Sequence, residues 1–214
     1  MDLGCGSWLW AEELARARYR VLGIDISEAM IEIARRRVSD AEFRVGSLFE
    51  AEIPPCVAVT SLGKVLNYLF DPNNDGQRLV GLFRRVYSAL APGGVFVFDV
   101  AEPGQVARGT ATRGFSEGED WVVVLEKEED AERRMLIRRI TSFRRVGEHY
   151  RRDDEVNRLQ LYESSEIARE CVGWVSGFER GALTVDTVCR GPTRRSSHAS
   201  RREIEMRTGL AEGV

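Results

Sequence analysis

The first hundred residues of the chain alternate between two hydrophobic patterns. Segments with apolar side chains three and four positions apart predict helices, and short apolar runs predict strands. Ser27 can cap the first of these helices. The apolar side chains on one side of that helix are Met30, Ile31, Ala34 and Val38. The alternation predicts an α/β fold with helices on both faces of a parallel sheet.

A second helix follows the turn signal Asn73-Asn74-Asp75-Gly76 and ends at Pro92-Gly93. Its apolar side chains keep helical spacing and are Leu79, Leu82, Phe83, Val86 and Leu90. The strand after it ends at Asp99 and is almost continuously apolar. Such a run is typical of a strand that is buried on both faces.

The pattern changes after Pro103, where β-rich segments alternate with charged turns. We predict three antiparallel strands there, over Trp121 to Glu126, Met135 to Arg145 and Tyr150 to Tyr162. The turns between them are predicted at Glu128-Glu129-Asp130 and Gly147-Glu148. Ser164 or Ser165 then caps a short helix that ends near Glu170.

These patterns divide the chain into four parts. Residues 1–104 form a core, residues 105–163 an inserted antiparallel sheet, and residues 164–189 a helix with a candidate strand at Ala182 to Val188. Residues 190–214 contain few large apolar side chains. Such a segment buries too little surface to offset its ordering entropy, so we expect a mobile tail.

Composition narrows the classes of function. The 214 residues carry a net charge of −3, which creates no global field that favours nucleic acid. Neither an apolar run of membrane-spanning length nor a signal-peptide pattern is visible, so we expect no membrane partner. The four cysteines form no C-x-x-C pair and the chain has two histidines, so we expect no metal site and a reducing cytoplasmic location.

The most specific motif is a glycine turn followed by an acid at a strand end. Asp2-Leu3-Gly4-Cys5-Gly6 forms the turn, and Asp25 ends the strand that follows about twenty residues later. Glycine lets a backbone turn sharply and approach a ligand, and Asp25 can accept hydrogen bonds from two ribose hydroxyls. The glycines alone would also fit an ordinary turn, but the pair of features favours a nucleoside-containing cofactor.

Three later segments extend this pattern. Phe43 to Leu48 and Val57 to Gly63 each read as a strand with its exit loop, and Leu90 to Asp99 reads as a helix end, a turn and a strand. In this order the segments resemble the class I S-adenosylmethionine-dependent methyltransferases of the small-molecule type. The resemblance implies a Rossmann-like, doubly wound and mostly parallel sheet in which the insertion forms a lid. It also implies methyl transfer from S-adenosylmethionine to a small-molecule acceptor.

The resemblance also implies which residues hold the cofactor. Asp2 would orient the glycine turn, Asp25 would bind the ribose, and Ser47 would border the adenine. The full set of implied cofactor contacts is Asp2, Gly4, Cys5, Gly6, Asp25, Ile26, Met30, Ser47, Leu48 and Leu62. Two positions depart from the family pattern, because Trp8 replaces a third glycine and Ser47 replaces an acid. Both changes predict weaker cofactor contacts.

The sequence indicates less clearly which residues would contact the methyl acceptor. Methyl transfer from a sulfonium needs alignment and exclusion of water, and it needs a base only when the acceptor must lose a proton. Candidate catalytic residues are Tyr68, in a segment that faces substrate in the family, and His149, in the insertion. Asn67 and Asp71 lie in the same segment as Tyr68. Structural roles for Asn67 and Tyr68, and a solvated His149, are the alternatives.

Both ends of the chain depart from the family. The resemblance implies a buried first strand before Asp2, and the sequence supplies almost none of it. We therefore expect a truncated chain that gains stability and cofactor affinity when six to eight β-branched residues are added upstream. The family also closes with two further strands, of which only Ala182 to Val188 is recognisable. Two alternative functions remain at this point, a catalytically impaired binding protein and a nicotinamide-dependent oxidoreductase.

Overall fold

The structure is a computed structural model that describes residues 1–7, 14, 17–172, 178–180 and 186–190. The predictions about Trp8 and about residues 191–214 concern positions outside this set. Residues 182–185, which are most of the candidate strand at Ala182 to Val188, also lie outside it. Within the described part, none of the helices has the length and apolar character that a bilayer span requires.

Two sheets and three helices make up the described part. The strands are β1 Asp2–Leu3, β2 Leu22–Asp25, β3 Glu42–Val45, β4 Cys56–Ser61, β5 Leu90–Asp99, β6 Ala111–Glu117, β7 Trp121–Asp130, β8 Met135–Val146, β9 His149–Gln160, β10 Phe178–Arg180 and β11 Asp186–Arg190. The helices are α1 Glu28–Arg37, α2 Gly76–Ala89 and α3 Ser164–Val172, with a short 3-10 helix at Val65–Asn67.

The main sheet has the order β10-β11-β5-β4-β1-β2-β3. Strands β1 to β5 pair in parallel, and β11 adds to β5 in the antiparallel direction. The predicted Rossmann-like sheet is therefore confirmed. The sequence reading missed one of the two closing strands, because β10 has only three residues and is defined by its pairing with β11.

The helix predicted after Ser27 and the helix predicted after the turn signal at Asn73 to Gly76 both begin at capped positions. The Ser27 hydroxyl accepts a hydrogen bond from the Met30 amide, and the Asp75 carboxylate accepts one from the Arg78 amide. The buried face of α2 contains the four predicted side chains Leu79, Leu82, Phe83 and Val86. Leu90 is also buried, but it begins β5 instead of ending the helix.

One side chain of α1 was placed on the wrong face. Ile31 and Ala34 are fully buried, whereas Met30 is 42% exposed. Adjacent helical residues lie about 100° apart, so Met30 cannot share the face that is centred between Ile31 and Ala34. It remains at the start of the helix, close in sequence to Asp25.

The first strand is short but occupies the centre of the sheet. Asp2 pairs with Gly23 on one side and with Thr60 on the other, and Leu3 is fully buried. Val57, near the start of β4, is 65% exposed. The effect of added upstream residues on stability stays a prediction.

The insertion is an antiparallel sheet of four strands, β6 to β9, where the sequence predicted three. We call it the insertion sheet. Strand β6 was missed because nearly all of its side chains are exposed and no alternation of apolar residues marks it. Its pairing with β7, from Ala111 opposite Glu128 to Glu117 opposite Val122, is what defines it.

The first predicted turn of the insertion was wrong and the second is confirmed. Glu128, Glu129 and Asp130 belong to β7, where they pair with Ile137, Leu136 and Met135. Glu129 remains in the strand because its carboxylate accepts hydrogen bonds from the amides of Gly104 and Val106. The turn falls at residues 131–134 instead, and residues 147–148 connect β8 to β9.

A small hydrophobic cluster joins the insertion sheet to the main sheet. Leu136 and Leu159 from the insertion pack with Ala101, Val106 and Leu161, and all five are buried. The Leu69 amide donates to the Arg158 carbonyl, which adds a backbone link between the two parts. The insertion sheet is therefore fixed at one end, beside the carboxyl ends of β4 and β5.

Candidate functional site

The glycine turn between β1 and residue 7 is held by β2. The amides of Gly4 and Cys5 both donate to the Ile24 carbonyl, at 2.7 and 2.9 Å. The Gly6 amide donates to the Asp25 carboxylate at 2.9 Å. Gly4 and Gly6 have φ angles of +71° and +55°, a region that favours glycine.

The two glycines are required for different reasons. A Cβ added at Gly4 would overlap the side chain of Val65, which follows β4. A Cβ at Gly6 would meet no atom of the described residues within 4 Å. We expected both glycines to leave space for a ligand. Gly6 has such space, whereas the space beside Gly4 is filled by the Val65 side chain.

Asp25 organises the turn and keeps capacity for a ligand. Its carboxylate accepts hydrogen bonds from the Gly6 amide at 2.9 Å and from the Ser27 amide at 2.8 Å. A carboxylate offers about four lone-pair directions, so about two remain for hydroxyl donors. The side chain is half-buried at the carboxyl end of β2, the edge of a parallel sheet where ligands bind.

Asp2 and Cys5 contribute to the frame of the turn. Asp2 is 6% exposed and accepts a hydrogen bond from the Thr60 hydroxyl at 2.6 Å, which ties β1 to β4. The Cys5 side chain packs in a buried cluster with Val21 and Ile31. Burial raises the pKa of the Cys5 thiol, and the charges of Asp2 and Asp25 raise it further. Cys5 is therefore a neutral thiol that offers only its backbone to a ligand.

The loop after β3 contacts a buried acid, Asp71, from the segment between the 3-10 helix and α2. The Ser47 hydroxyl donates to the Asp71 carboxylate at 2.6 Å, and Asp71 is 5% exposed. Asp71 also accepts from the Asn73 amide at 2.8 Å. Asp71 was expected to face the substrate, but it lies behind Ser47. Ser47 stands where the family has an acid, and Asp71 supplies a carboxylate next to it.

The other predicted residues on this side differ in exposure. Ile26, which directly follows Asp25, is half-buried, and Met30 is exposed in the first turn of α1. Leu48 is buried in the main hydrophobic core, which leaves its backbone for a ligand. The Arg85 guanidinium donates to the Phe49 carbonyl at 2.6 Å and fixes this loop.

The loop after β4 passes close to the glycine turn. Leu62 is half-buried, and the next two residues have φ angles of +89° at Gly63 and +61° at Lys64. The Lys64 amide donates to the Asp99 carboxylate at 2.7 Å, and the Lys64 ammonium lies 3.4 Å from the same group. This pair, which the sequence did not indicate, joins the exits of β4 and β5.

Asn67 has a structural role. Its side chain is fully buried, accepts from the Ala101 amide at 2.9 Å, and donates to the carbonyls of Ala101 and Gln160. It thereby bridges the main sheet and the insertion sheet. Of the two alternatives for Asn67, the structure favours the structural role, because both its side-chain oxygen and its side-chain nitrogen are bound to backbone.

Tyr68 and His149, the two catalytic candidates, lie far apart along the insertion sheet. Tyr68 is half-buried, forms a β-bridge with Leu159, and its hydroxyl accepts from the Arg138 guanidinium at 3.0 Å. His149 is exposed at the opposite end of β9. Ten residues separate Leu159 from His149, which is roughly 33 Å at the rise of a strand. Position therefore favours Tyr68.

Among the described residues, no cluster of three or more histidine, cysteine or acidic side chains has the arrangement of a metal site. The cofactor-binding candidates, in contrast, converge from the exits of β1, β2, β3 and β4. These four exits share one edge of the sheet because the strands run parallel.

Comparison with known proteins identifies this arrangement. Residues 1–94 match a methyltransferase domain family. A putative methyltransferase of Bacillus subtilis, YqeM, is 26% identical over 208 residues, an alignment that covers 92% of this chain and 79% of that protein. A putative methyltransferase of Geobacillus is 32% identical over 105 residues, which is 47% of this chain and 41% of that one. The chain carries, in residues 1–94, the domain of a class I S-adenosylmethionine-dependent methyltransferase.

Solved structures agree with this assignment at the level of the fold. An S-adenosylmethionine-dependent methyltransferase from Clostridium acetobutylicum has a TM-score of 0.75 and 18% identity, over 90% of this chain and 83% of that one. DesVI from Streptomyces venezuelae also has a TM-score of 0.75, with 20% identity over 90% and 82% of the two chains. The nicotinamide-dependent alternative is therefore set aside, and S-adenosylmethionine is the cofactor of this methyltransferase.

The residues at the sheet edge suit that cofactor. Asp25 retains acceptor capacity for ribose hydroxyls, and the space beside Gly6 is clear of described atoms. Met30, in the first turn of α1, presents an exposed apolar side chain. Of the ten predicted cofactor residues, Cys5 and Leu48 turn their side chains into the core, and these two can act only through their backbones.

Proposed function

We propose that this methyltransferase acts on a small-molecule acceptor bound between the carboxyl edge of the main sheet and the insertion sheet. Solved structures with the same fold include CalS10, described as an amino pentose methyltransferase, and KedS8, described as a sugar N-methyltransferase. The proposal is carried by the insertion sheet, which is attached beside the exits of β4 and β5. A cover at that edge would give the acceptor an enclosed cavity.

A nucleic-acid substrate is the main alternative. One relative is an 18S rRNA (guanine-N7)-methyltransferase of mouse, 26% identical over 99 residues that cover 44% of this chain. A protein that binds RNA usually presents an excess of cations on one surface. Here the net charge is −3, and the outer arginines of the insertion sheet are paired with acids, such as Arg152 with Asp154 and Arg139 with Glu126. These pairs favour the small-molecule acceptor.

The roles of the cofactor-binding residues follow from their positions. Asp25 binds the ribose hydroxyls, Met30 and Ile26 contact the adenine from one side, and Ser47 binds its edge. The Leu62 carbonyl and Asp2, at the exits of β4 and β1, receive the ammonium of the methionine part. Residues 1–104 thus form the cofactor-binding part, residues 105–163 cover it, and residues 164–189 complete the core.

The cofactor supplies an activated methyl group on a sulfonium, and the protein supplies alignment and exclusion of water. The Asp25 and Asp2 carboxylates would hold the ribose end and the methionine end of the cofactor, respectively. Tyr68 lies at the boundary between this edge and the insertion sheet, where its hydroxyl can orient an acceptor atom. An amine acceptor that is already neutral needs no base.

We place the reaction in the cytoplasm. The support is the cysteine usage, since the described Cys5 and Cys56 are free thiols and the sequence contains no paired cysteine motif. Free thiols of this kind are typical of a reducing compartment.

Isothermal titration with S-adenosylhomocysteine tests the cofactor assignment. Asp25→Ala removes acceptors for ribose hydroxyls and loosens the glycine turn, and each charge-assisted hydrogen bond contributes about 1.5–3 kcal/mol. We expect the affinity to fall about tenfold or more. Asp40→Ala, the same substitution at an exposed position after α1, should leave the affinity unchanged. Equal affinities of wild type and Asp25→Ala would contradict the assignment.

A transfer assay with labelled S-adenosylmethionine tests the acceptor class. We expect label in a small molecule from a panel of amino sugars and hydroxy or amino acids, and none in total RNA. Label in RNA would overturn the small-molecule proposal. Binding of S-adenosylhomocysteine with no transfer to either panel would favour the alternative that the chain is a catalytically impaired binding protein.

A further inference from the structure

The insertion sheet has two faces, and one of them is directed at the core. Directly paired residues on neighbouring strands share a face. Leu136 pairs with Glu129 and with Leu159, and Leu136 and Leu159 are buried against Ala101 and Val106. Because side chains alternate along a strand, the next row on this inner face is Lys127, Arg138 and Asn157.

This row places two cations directly opposite each other. Lys127 and Arg138 are register partners on β7 and β8, so their Cβ atoms lie about 4.5–5.5 Å apart. Both side chains are half-buried, as is Asn157 on β9. Like charges at directly opposite positions destabilise a sheet, and partial burial increases that cost. A negative charge close to Lys127 and Arg138 would offset this cost.

The described residues do not supply that charge. Neither Lys127 nor Arg138 forms an ion pair within 4 Å in the described part of the chain. The Arg138 guanidinium donates one hydrogen bond, to the Tyr68 hydroxyl at 3.0 Å, and its buried Nε–H has no partner. Donor capacity on this face is thus left available beside the carboxyl edge of the main sheet.

The outer face of the same sheet is arranged differently. Arg139, the next residue along β8, contacts the carboxylates of Glu126 and Glu128 at 3.3 and 3.1 Å. Arg113 also pairs with Glu126, at 2.6 Å. The chain therefore provides acids for these outer cations, whereas Glu129, an acid in a neighbouring row of the inner face, is bound to the amides of Gly104 and Val106 and forms no ion pair with Lys127 or Arg138. A general shortage of acidic residues does not explain the difference.

We propose that Arg138 and Lys127 bind an anionic group of the methyl acceptor, a carboxylate or a phosphate. The inference rests on the proposed small-molecule function and adds the chemical class of its substrate. The planar guanidinium of Arg138 can donate two parallel hydrogen bonds to such a group, Lys127 adds a point charge, and Asn157 can add an amide donor. The Arg138–Tyr68 hydrogen bond holds the guanidinium towards the site, so the anion fixes the acceptor relative to Tyr68.

The test titrates two probes, inorganic pyrophosphate and succinate, into the protein saturated with S-adenosylhomocysteine. The variants are Arg138→Gln and Lys127→Gln, and the matched control is Arg139→Gln, one residue away on the outer face. We expect wild type and Arg139→Gln to bind at least one probe equally, and the two inner-face variants to bind it at least tenfold more weakly. The probe that binds distinguishes a phosphate site from a carboxylate site.

Three outcomes would overturn the inference. They are absence of binding of both probes to wild type, equal binding by all variants, and equal loss in Arg138→Gln and Arg139→Gln. If an RNA oligonucleotide binds and the small anions do not, the inner face is an RNA surface and the inference is also wrong. The affinity for S-adenosylhomocysteine is measured in the same samples. If it is retained while the anions fail, only this inference fails; if wild type does not bind it, the proposed function fails.

Discussion

At the scale of single residues, Asp71 determines what Ser47 can recognise. The Ser47 hydroxyl has one proton, which it donates to Asp71, and one lone pair takes the Phe49 amide at 3.1 Å. A hydroxyl has one donor and two acceptor positions, so Ser47 can offer a ligand only a lone pair. An acceptor at this position matches the amino group of adenine and does not match the carbonyl of an oxopurine.

Asp71→Asn tests this arrangement. The amide can donate to the Ser47 oxygen, which frees the hydroxyl proton and removes the preference for an amino group. We expect the affinity for S-adenosylhomocysteine to fall about three- to tenfold, while that for its deaminated inosine analogue does not fall. Asp75→Asn, a conservative change at the α2 cap, is the control and should not alter this ratio. A ratio that is unchanged in Asp71→Asn would refute the role of Asp71.

Cys5 predicts a loss of stability at alkaline pH. Burial raises the pKa of its thiol above the ordinary 9.0, so above about pH 9 the unfolded chain releases this proton and the folded chain keeps it. The folded state then binds more protons, and the free energy of unfolding falls by up to about 1.4 kcal/mol per pH unit. The contribution is fully present below pH 9. Burial also raises the pKa of Cys56, and it raises that of Tyr162 to about 12.

Urea unfolding at pH 8, 9 and 10 measures this slope. We expect a decline in the free energy of unfolding from pH 9 to pH 10, and a smaller decline in Cys5→Ala. A slope in Cys5→Ala equal to that of wild type would show that the thiol is not protected by the fold.

At the scale of elements, the 3-10 helix after β4 joins the two sheets through Asn67. Its side-chain oxygen takes the Ala101 amide, and its side-chain nitrogen donates to the carbonyls of Ala101 and Gln160. Asn74 supports the same segment by donating to the carbonyls of Leu66 and Tyr68. The position of Tyr68 is therefore set by two side-chain amides, the buried Asn67 and the half-buried Asn74.

Asn67→Ala should destabilise the protein strongly. It leaves the buried Ala101 amide without its acceptor and removes the side-chain donor to the Gln160 carbonyl, whereas the Ala101 carbonyl keeps the Tyr162 amide. Each unsatisfied buried group costs about 1–3 kcal/mol. We expect the free energy of unfolding to fall by about 2–4 kcal/mol in urea titrations. Asn73→Ala, in the loop after Asp71, should change it by less than about 1 kcal/mol. Equal effects of the two substitutions would argue against the bridge.

At the scale of the whole molecule, the cofactor loops and the insertion sheet are coupled at one end only. The Tyr68–Leu159 bridge, the Leu69–Arg158 backbone bond and the Glu129 contacts lie at the attached end of the sheet. The opposite end, at Val146 and His149, is exposed. Binding at the carboxyl edge can therefore stiffen the attached end without reaching the hairpin tip.

Hydrogen exchange tests this coupling. With S-adenosylhomocysteine we expect slower exchange in the glycine turn and in residues 46–49, and a smaller effect at residues 134–138 and 157–161. Residues 144–151 should not change. Asp25→Ala at the same ligand concentration should reduce every effect. If protection stops within the first hundred residues, the insertion sheet is not coupled to the cofactor and does not act as a lid.

The sequence by itself determined the features that depend on local order. Helical spacing predicted α1 and α2, the cap at Ser27 agreed with the start of α1, and the turn signal at Asn73 to Gly76 agreed with the start of α2. These predictions were accurate because periodicity, capping and turn formation act within a few residues. The glycine turn and Asp25 meet at one edge because parallel strands bring their exits together, and their role in cofactor binding stays a prediction.

Tertiary structure decided the contacts between distant segments. Ser47 and Asp71 are 24 residues apart, Asn67 and Gln160 are 93 apart, and Arg138 and Tyr68 are 70 apart. The sequence also did not predict strand β6, because its side chains are mostly exposed and show no alternation of apolar and polar residues. Only its pairing with β7 defines this strand. A one-residue shift in strand register would move Arg138 to the other face, so the inner cation pair is fixed by pairing and not by residue type.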